Sequence, residues 1–233
     1  RIDQIRDIVE FRALLTDVSV EEVIRKYPAA GSTPVALPPL APDQPLYCLF
    51  TSGSTGAPKG VLIRRAAYEN FLQWINDFFR EIGDQDHLLN STDYTFDVSL
   101  AEVAQTLTRR PGFHCSRFRD DLFTLLNELH EQKISVIATV PNNFMMLLDE
   151  RLVGRADLSS LRHALIAGAR FPLALDHKFK KLLPQTQVYN CYGPTEATVY
   201  CLARALEAGD GEYVEEGTVS VGYPVSGCLP LIV

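Results

Sequence analysis

The sequence predicts an α/β protein in which a mostly parallel β-sheet is covered by helices on both faces. Apolar runs such as 134–140 (ISVIATV) lack the alternation of apolar and polar residues that a strand with one solvated face shows. Between these runs lie segments with apolar residues at helical spacing, such as 121–132 with Leu122, Leu125 and Leu129. Strands that alternate with helices are typical of a parallel sheet with two covered faces.

The elements follow from periodicity and from the turn residues that bound each segment. Helices are predicted at 1–11, from Ser19 onward, and at 68–79, 99–107, 121–132, 142–148 and 173–182. Strands are predicted at 13–16, 46–50, 87–91, 134–140, 161–167 and 187–191. The aromatic stripe of the 68–79 helix is interpreted as core packing.

Prolines separate the first part of the chain from the rest. Residues 28–45 contain Pro28, Pro34, Pro38, Pro39, Pro42 and Pro45, which predicts an extended connector. We therefore expect 1–45 to be the end of a preceding subdomain with its connector, and 46–233 to be a binding core. The chain starts at a helix without any lead-in, which suggests a fragment.

Composition indicates a soluble globular protein and excludes several classes. Of the 233 residues 46% are apolar and 22% charged, and a net charge of −7 argues against nucleic acid or an acidic membrane surface as partner. No apolar run approaches the ~18 residues that cross a bilayer. Five scattered cysteines without a C-x-x-C pair favour a reducing, cytoplasmic location over a disulfide or zinc protein. The five histidines share no metal spacing and are interpreted as structural or surface residues.

The segment 46–61 (LYCLFTSGSTGAPKGV) carries the first functional signal. Its apolar start, 46–50, is interpreted as a buried strand, and the glycines and hydroxyls that follow are expected to form neither strand nor helix. Such a loop offers backbone and side-chain donors without negative charge, which suits an anion such as phosphate. A Gly/Ser linker is the alternative for the loop alone. The spacing differs from that of the Walker loop.

A second signal is 190–196 (NCYGPTE). Gly193 and Pro194 predict a sharp turn after a strand, which exposes Thr195 and Glu196 at its rim. A hydroxyl can donate to a phosphate oxygen, and a carboxylate beside phosphate requires an intervening cation such as Mg²⁺. The alternative is a helix start, with Thr195 as cap and Glu196 in the first turn.

The third signal is Asp97 in the apolar segment 96–100. Burying a carboxylate is costly unless a cation pairs with it, so Asp97 either binds a cation or is a surface residue that begins the next helix. Because ligands bind at the carboxyl ends of parallel strands, we expect 51–60, 96–97, 167–169 and 192–196 to converge at one sheet edge.

Together these motifs closely resemble those of the adenylate-forming (AMP-binding) superfamily, most of all the adenylation domains of nonribosomal peptide synthetases. The resemblance covers essentially the whole chain and implies a fragment of the large N-terminal domain of an acetyl-CoA synthetase-like fold. It implies ATP-dependent activation of an amino acid to aminoacyl-AMP with release of pyrophosphate, followed by transfer to the phosphopantetheine arm of a carrier protein.

The resemblance assigns roles residue by residue. Lys59, Thr195 and Glu196 are the expected catalytic residues: Lys59 orders the phosphate loop, Thr195 contacts the α-phosphate and Glu196 holds Mg²⁺. Tyr192 is expected to stack on adenine, with Asn190 at the amino edge of the base. The expected ATP-binding residues are Thr51, Ser52, Gly53, Ser54, Thr55, Gly56, Lys59, Gly168, Ala169, Arg170, Asn190, Tyr192, Gly193 and Thr195.

For the substrate, the resemblance pairs Asp97 with an α-ammonium group, which favours an amino acid over a fatty or aryl acid. The other expected pocket residues are neutral and several are small, so a small or medium neutral side chain is expected. They are Val98, Ala101, Thr139, Leu165, Ala167, Cys191, Val199 and Tyr200.

The superfamily also uses a lysine in a small C-terminal lid domain and a ribose-binding aspartate, and neither matches a residue of this chain. We therefore expect a piece of about half an enzyme, inactive alone, that depends on the remaining parts of its own multidomain chain. Two alternatives stay open: an aryl- or acyl-acid ligase of the same superfamily, and a catalytically incompetent nucleotide-binding domain.

Overall fold

The computed structural model describes residues 41–52, 57–117, 121–207 and 214–231, with the isolated positions 5, 9, 22, 25 and 26. The predicted helices at 1–11 and from Ser19, the strand at 13–16 and the connector up to residue 40 therefore lie outside the continuous described ranges. Among the described residues, no helix is both long and apolar enough to cross a membrane.

The described part begins with a two-stranded antiparallel ribbon, β1 (Pro45–Ser52) and β2 (Pro58–Arg64). The strand predicted at 46–50 is present as part of β1, but the prediction that it is buried was wrong, because β1 is half to fully exposed and, among the described strands, pairs only with β2. The expectation that 51–60 contains no strand was also wrong at both ends. A five-residue apolar run cannot by itself distinguish a central strand from a ribbon with one packed face.

The main sheet has seven strands in the order β11-β8-β7-β6-β5-β3-β4. Strands β4, β3, β5, β6 and β7 are parallel, whereas β8 runs antiparallel to β7 and to β11. The mostly parallel α/β sheet predicted from sequence is thereby confirmed. The strands are β3 (His87–Asn90), β4 (Gly112–Cys115), β5 (Val136–Thr139), β6 (His163–Ile166), β7 (Gln187–Tyr192), β8 (Leu202–Ala205) and β11 (Tyr223–Pro224).

The helices agree with the predictions in order and nearly in length. They are α1 (Arg65–Phe78), α2 (Val98–Arg109), α3 (Leu122–Glu131), α4 (Pro141–Leu147), the short α5 (Glu150–Val153) and α6 (Leu173–Leu182). The sequence did not predict β2, α5, β4, β8, β11 or a small hairpin of β9 (Val214–Glu215) and β10 (Thr218–Val219). Apart from the seven-residue β2, these missed elements are only two to four residues long.

The core explains why the central strands lack alternation. In β5, Ile137 packs in a cluster with α3, α4 and α6, whereas Val136 and Ala138 pack in a second cluster with α1 and α2. In β6, Leu165 likewise points to the opposite face from Ala164. Because both faces of the sheet are buried, residues on both faces of β5 and β6 are mostly apolar, and the apolar run in the sequence is continuous.

Candidate active site

The expected convergence of the motifs is present at the carboxyl edge of the sheet. Strand β6 leads into 167–170 and β7 into 193–196, while Asp97 lies between β3 and α2. The described residues 51–52 and 58–60 belong to the ribbon rather than to the main sheet. Lys59 Nζ of β2 lies 3.3 Å from Glu196 Oε1, which joins the ribbon to the turn after β7.

The turn after β7 has a tightly constrained backbone. A Cβ on Gly193 would overlap the Val199 carbonyl oxygen and lie 2.7 Å from the Tyr200 Cα, so glycine is required by close approach. Thr198 and Val199 follow with φ values of 64° and 69°, which are costly for residues with β-branched side chains. Backbone strain of this kind persists where the surrounding structure imposes it. Here the strained backbone brings Tyr200 directly against Gly193.

Thr195 and Glu196 form a single 3₁₀ turn, Thr195–Ala197, that begins after Pro194. This turn has no side-chain cap, so the alternative of Thr195 as a helix N-cap was wrong. The Thr195 hydroxyl instead hydrogen-bonds the Asp97 carboxyl. The two sequence motifs are therefore in direct contact.

Asp97 is 9% exposed, so the alternative was wrong in making it a surface residue, although Asp97 does stand at the N-cap position of α2 without a capping hydrogen bond from its side chain. Burial raises the pKa of its carboxyl, the Thr195 hydrogen bond opposes that rise, and the charge of Glu196 adds to it. One oxygen, Oδ2, is buried without a hydrogen-bond partner among the described residues. A buried carboxylate oxygen without a donor is suited to a cationic ligand.

Lys59 and Glu196 are both partly solvated, with side-chain exposures of 64% and 49%. The backbone N–H of Glu196 and the Lys59 ammonium lower the pKa of this carboxyl, so it is ionised at neutral pH. Thr51 lies opposite Lys59 in the ribbon, and its hydroxyl donates to the Lys59 carbonyl at 3.5 Å. Ser52 ends β1, whereas Gly53, Ser54, Thr55 and Gly56 lie outside the described residues, so their role stays a prediction.

The donor set at this rim fits a magnesium ion held jointly with a substrate. Mg²⁺ is commonly bound by one or two carboxylates together with substrate phosphate oxygens, and Glu196 is an accessible ionised carboxylate. Within the described ranges, no group of three or more His, Cys, Asp or Glu residues could hold a metal by itself.

The residues expected around adenine lie at the neighbouring strand ends. The Tyr192 side chain is 51% exposed, which contradicts a purely core role for its ring. Asn190 is buried, and its amide donates to the Val219 and Ser220 carbonyls at 3.1 and 3.0 Å. Only its oxygen is left to accept from an adenine amino group. On the other side, Gly168 has a φ of +84°, and the exposed Ala169 and Arg170 follow it.

Most residues expected in the substrate pocket come together in one buried cluster. Thr139 is the exception: it lies at the end of β5, and its hydroxyl accepts from Asn143 at 2.8 Å. Val98 packs against the cluster from the first turn of α2. The cluster itself contains Ala101, Leu165, Ala167, Cys191, Val199 and Tyr200.

Two polar residues beside this cluster were not found from the sequence. The Tyr47 hydroxyl of β1 is buried without a partner among the described residues, and burial and the Asp97 charge both raise its pKa. Glu102 of α2 is 2% exposed, bonds to Asn90 and Thr92, and burial raises its pKa to about 8. The available signal was weak: Glu102 stands five residues after Asp97, on a helix whose buried face carries polar residues.

A separate cleft of about 660 Å³ lies at the opposite, amino ends of β6 and β7. Its lining includes Arg162, which pairs at 2.6 Å with the fully buried Asp86, and His163, which lies 3.3 Å from the Tyr189 hydroxyl. These contacts tie both residues into the structure, and the cleft holds none of the motif residues. The chemistry suggested by the sequence belongs at the other edge.

Comparisons with known sequences agree with this geometry. The family model "AMP-binding enzyme" matches residues 4–233. An L-proline–[L-prolyl-carrier protein] ligase of Streptomyces coelicolor is 31% identical over 201 residues, which cover 84% of this chain and 37% of that protein. A D-alanine–D-alanyl carrier protein ligase of Bacillus velezensis is 31% identical over 66% of this chain and 31% of its own length. This chain therefore spans only about a third of such relatives.

Solved structures show the same fold at lower identity. The nonribosomal peptide synthetase FmoA3 (S1046A) bound to AMPPNP matches with a TM-score of 0.74 at 23% identity, over 94% of this chain and 23% of its own. The adenylation domain AlmE of Vibrio cholerae, in complex with glycyl-adenosine-5'-phosphate, matches with a TM-score of 0.69 at 23% identity, over 88% and 36%. The fold thus corresponds to the N-terminal part of adenylation domains. With a family model that covers nearly its whole length, the chain belongs to the family of AMP-binding enzymes.

Proposed function

We propose that this chain supplies the phosphate, magnesium and ammonium sites of an enzyme that activates an amino acid. The overall reaction joins the amino-acid carboxylate to the α-phosphorus of ATP and releases pyrophosphate. The aminoacyl group then passes from aminoacyl-AMP to a carrier-protein thiol. The observation that carries the proposal is the buried, partnerless Oδ2 of Asp97 beside the Thr195–Glu196 turn.

Asp97 supports an amino acid as the substrate, because the buried carboxylate requires a positively charged partner such as an ammonium group. Burial, and repulsion from Glu196, disfavour the ionised carboxylate, and an ammonium group that donates to Oδ2 would offset both effects. The clustered residues around it are uncharged and include Ala101 and Ala167. A small or medium neutral side chain fits such surroundings. The names of several relatives, including a prolyl and two D-alanyl carrier-protein ligases, point in the same direction.

Phosphate binding is supported by the arrangement of charge at the rim. Lys59 brings a cation from the ribbon, and the ionised Glu196, in the same turn as Thr195, gives Mg²⁺ a protein ligand. When bound, Mg²⁺ would neutralise phosphate charge and orient the leaving pyrophosphate. The protein residues then hold the two reactants in line, which is the main contribution to catalysis in reactions of this type.

The chain needs further parts for a complete reaction. It spans about a third of the two carrier-protein ligases described above, and the lid lysine and ribose-binding aspartate that the resemblance implies match no residue in it. We therefore propose that the remaining parts of a longer chain supply these groups, in the cytoplasm, and that the 233-residue piece alone turns over little or no substrate.

The test is amino-acid-dependent exchange of pyrophosphate into ATP by the full-length protein, with a panel of amino acids. Exchange with at least one neutral amino acid is expected, and it should depend on Mg²⁺. ATP binding without exchange for any amino acid would identify a catalytically incompetent nucleotide-binding domain. Exchange with an acid that lacks an amine, retained in Asp97→Ala, would identify an aryl- or acyl-acid ligase.

A further inference from the structure

Tyr200 has a buried hydroxyl for which the described protein offers no partner. The residue is 1% exposed, and its ring is held against Phe71 and Trp74, with ring centroids 6.1 and 6.4 Å apart. Burial raises the pKa of this hydroxyl, and the charges of Cys191, Glu102 and Asp97 add to that rise. A buried hydroxyl without a partner is uncommon in folded proteins and calls for a specific explanation.

None of the three neighbours satisfies this hydroxyl. The Glu102 carboxyl is engaged by Asn90 and Thr92, and its pKa of about 8 keeps it mostly uncharged at neutral pH. The buried Cys191 thiol is at best a weak partner. Asp97 has an unused oxygen, Oδ2, yet this oxygen and the Tyr200 hydroxyl are each without a partner, so they do not bond each other.

A second buried hydroxyl belongs to Tyr47 of the ribbon. The Tyr47 ring contacts Tyr68 edge-on with centroids 5.7 Å apart, and Tyr68 packs against the cluster that contains Tyr200 and Ala101. The Tyr47 hydroxyl has no partner among the described residues, and burial and the Asp97 charge both raise its pKa. Three polar atoms from different parts of the chain thus lack a partner among the described residues, in or beside a cluster in which Ala101 is small. Such an arrangement suits a ligand that brings its own polar atoms.

We propose that the substrate amino acid carries a neutral hydrogen-bonding group on its side chain, a hydroxyl or an amide, and that Tyr200 and Tyr47 recognise this group. The inference rests on the amino-acid-activating function proposed above and narrows its substrate class. The α-ammonium group of the substrate donates to Oδ2 of Asp97, and its side-chain group hydrogen-bonds the hydroxyls of Tyr200 and Tyr47. An apolar side chain of the same shape would leave these hydroxyls unpaired and desolvated, which disfavours its activation.

The test is pyrophosphate exchange by the full-length protein with pairs of amino acids of similar shape. The pairs are threonine with valine, serine with alanine, and asparagine with leucine. In the pair that fits the pocket, we expect kcat/KM of the polar member to exceed that of the apolar member by about 10- to 100-fold. In Tyr200→Phe this ratio should fall to within about threefold of unity, chiefly because kcat/KM of the polar amino acid decreases.

Tyr68→Phe is the matched control. The Tyr68 hydroxyl lies beside Tyr47 but donates to the Leu100 carbonyl at 3.0 Å, so its loss should leave the ratio unchanged. Tyr47→Phe, at a less deeply buried residue, provides a second variant if Tyr200→Phe does not fold. Preference of the wild type for the apolar members overturns the inference without any variant, and so does an unchanged ratio in both phenylalanine variants. Exchange with apolar amino acids only would leave the proposed function intact, whereas no exchange at all would overturn both.

Discussion

Replacing Asp97 by asparagine tests the centre of the proposed site. The substitution keeps the size of the side chain and removes the charge that we assign to the substrate ammonium group. Asp97 is 9% exposed, and Oδ2 has no other partner among the described residues. An ammonium group bound there would lie in surroundings that screen charge poorly, opposite a neutral amide.

The expected loss can be worked out from this burial. Removing one partner of a buried ion pair costs about 3–5 kcal/mol, because the other charge stays desolvated and uncompensated. At about 1.4 kcal/mol per factor of ten, this corresponds to a decrease in kcat/KM of roughly 10²- to 10³-fold or slightly more. The KM for ATP should change little, since Asp97 is not expected to contact the nucleotide.

The assay is amino-acid-dependent pyrophosphate exchange by the full-length protein and its Asp97→Asn variant. Asp93→Asn is the matched control, since Asp93 lies in the same segment but is exposed and accepts from the backbone N–H of Thr95 at 2.8 Å. The control should retain activity within about twofold. Asp97→Asn activity within about fivefold of the wild type would refute the assignment of an ammonium partner.

Stability provides a second, opposite readout for the same variant. Because the pKa of Asp97 is raised in the folded state, the protonated carboxyl favours folding. This stabilising contribution is lost as pH rises from the ordinary carboxyl pKa near 3.8 through the raised pKa of the folded protein. Asp97→Asn removes that loss, so its melting temperature at pH 7 should equal or exceed that of the wild type. A lower melting temperature together with lower activity would indicate a structural carboxylate instead.

Three further predictions concern the surroundings of Asp97. Glu196→Gln should raise the Mg²⁺ concentration needed for half-maximal exchange by about tenfold or more and leave the melting temperature unchanged. The reason is that this half-exposed side chain contributes an ionised metal ligand and little packing. An unaltered Mg²⁺ titration would contradict the assignment of Glu196 as a metal ligand. Gly193→Ala should destabilise the fold by about 1–3 kcal/mol in chemical denaturation, because the added Cβ meets the Val199 backbone; a neutral effect would show that the turn relaxes freely. The wild type should lose stability as pH rises from about 4.5 to about 8, because the Glu102 carboxyl binds its proton more tightly in the folded state. Glu102→Gln should remove this pH dependence when thermal unfolding is measured between pH 5 and 9. Identical slopes of melting temperature against pH for the two proteins would contradict a raised pKa of Glu102.

The long, strongly patterned elements could be predicted from the sequence. Helix α6 was predicted with its observed bounds, Leu173–Leu182, and the parallel strands β5, β6 and β7 lie within or nearly within their predicted ranges. Apolar spacing determines such elements because each buries one continuous surface. Strand β8 was missed, since four residues with a central arginine, LARA, carry too little pattern to predict a strand.

The ribbon formed by β1 and β2 shows where prediction from the local sequence fails. The run 46–50 is as apolar as a central strand, yet β1 pairs only with β2 and leaves Leu46 40% exposed. Whether an apolar strand is central or peripheral depends on which other strands pair with it, and that is a long-range property. The same error hid Tyr47, since a residue assigned to the sheet interior is not expected to reach Asp97.

The sequence by itself determined the family resemblance, the three motifs and the order of most helices and strands, because those depend on residue types at short spacing. The tertiary structure alone decided that Asp97 is buried against Thr195 and that Lys59 reaches Glu196 from a separate ribbon. It also decided that the hydroxyls of Tyr47 and Tyr200 are buried without a partner in the part of the chain that the structure describes. Burial and hydrogen-bond satisfaction are set by residues far apart in the chain. For that reason, no local pattern in the sequence could have shown these contacts.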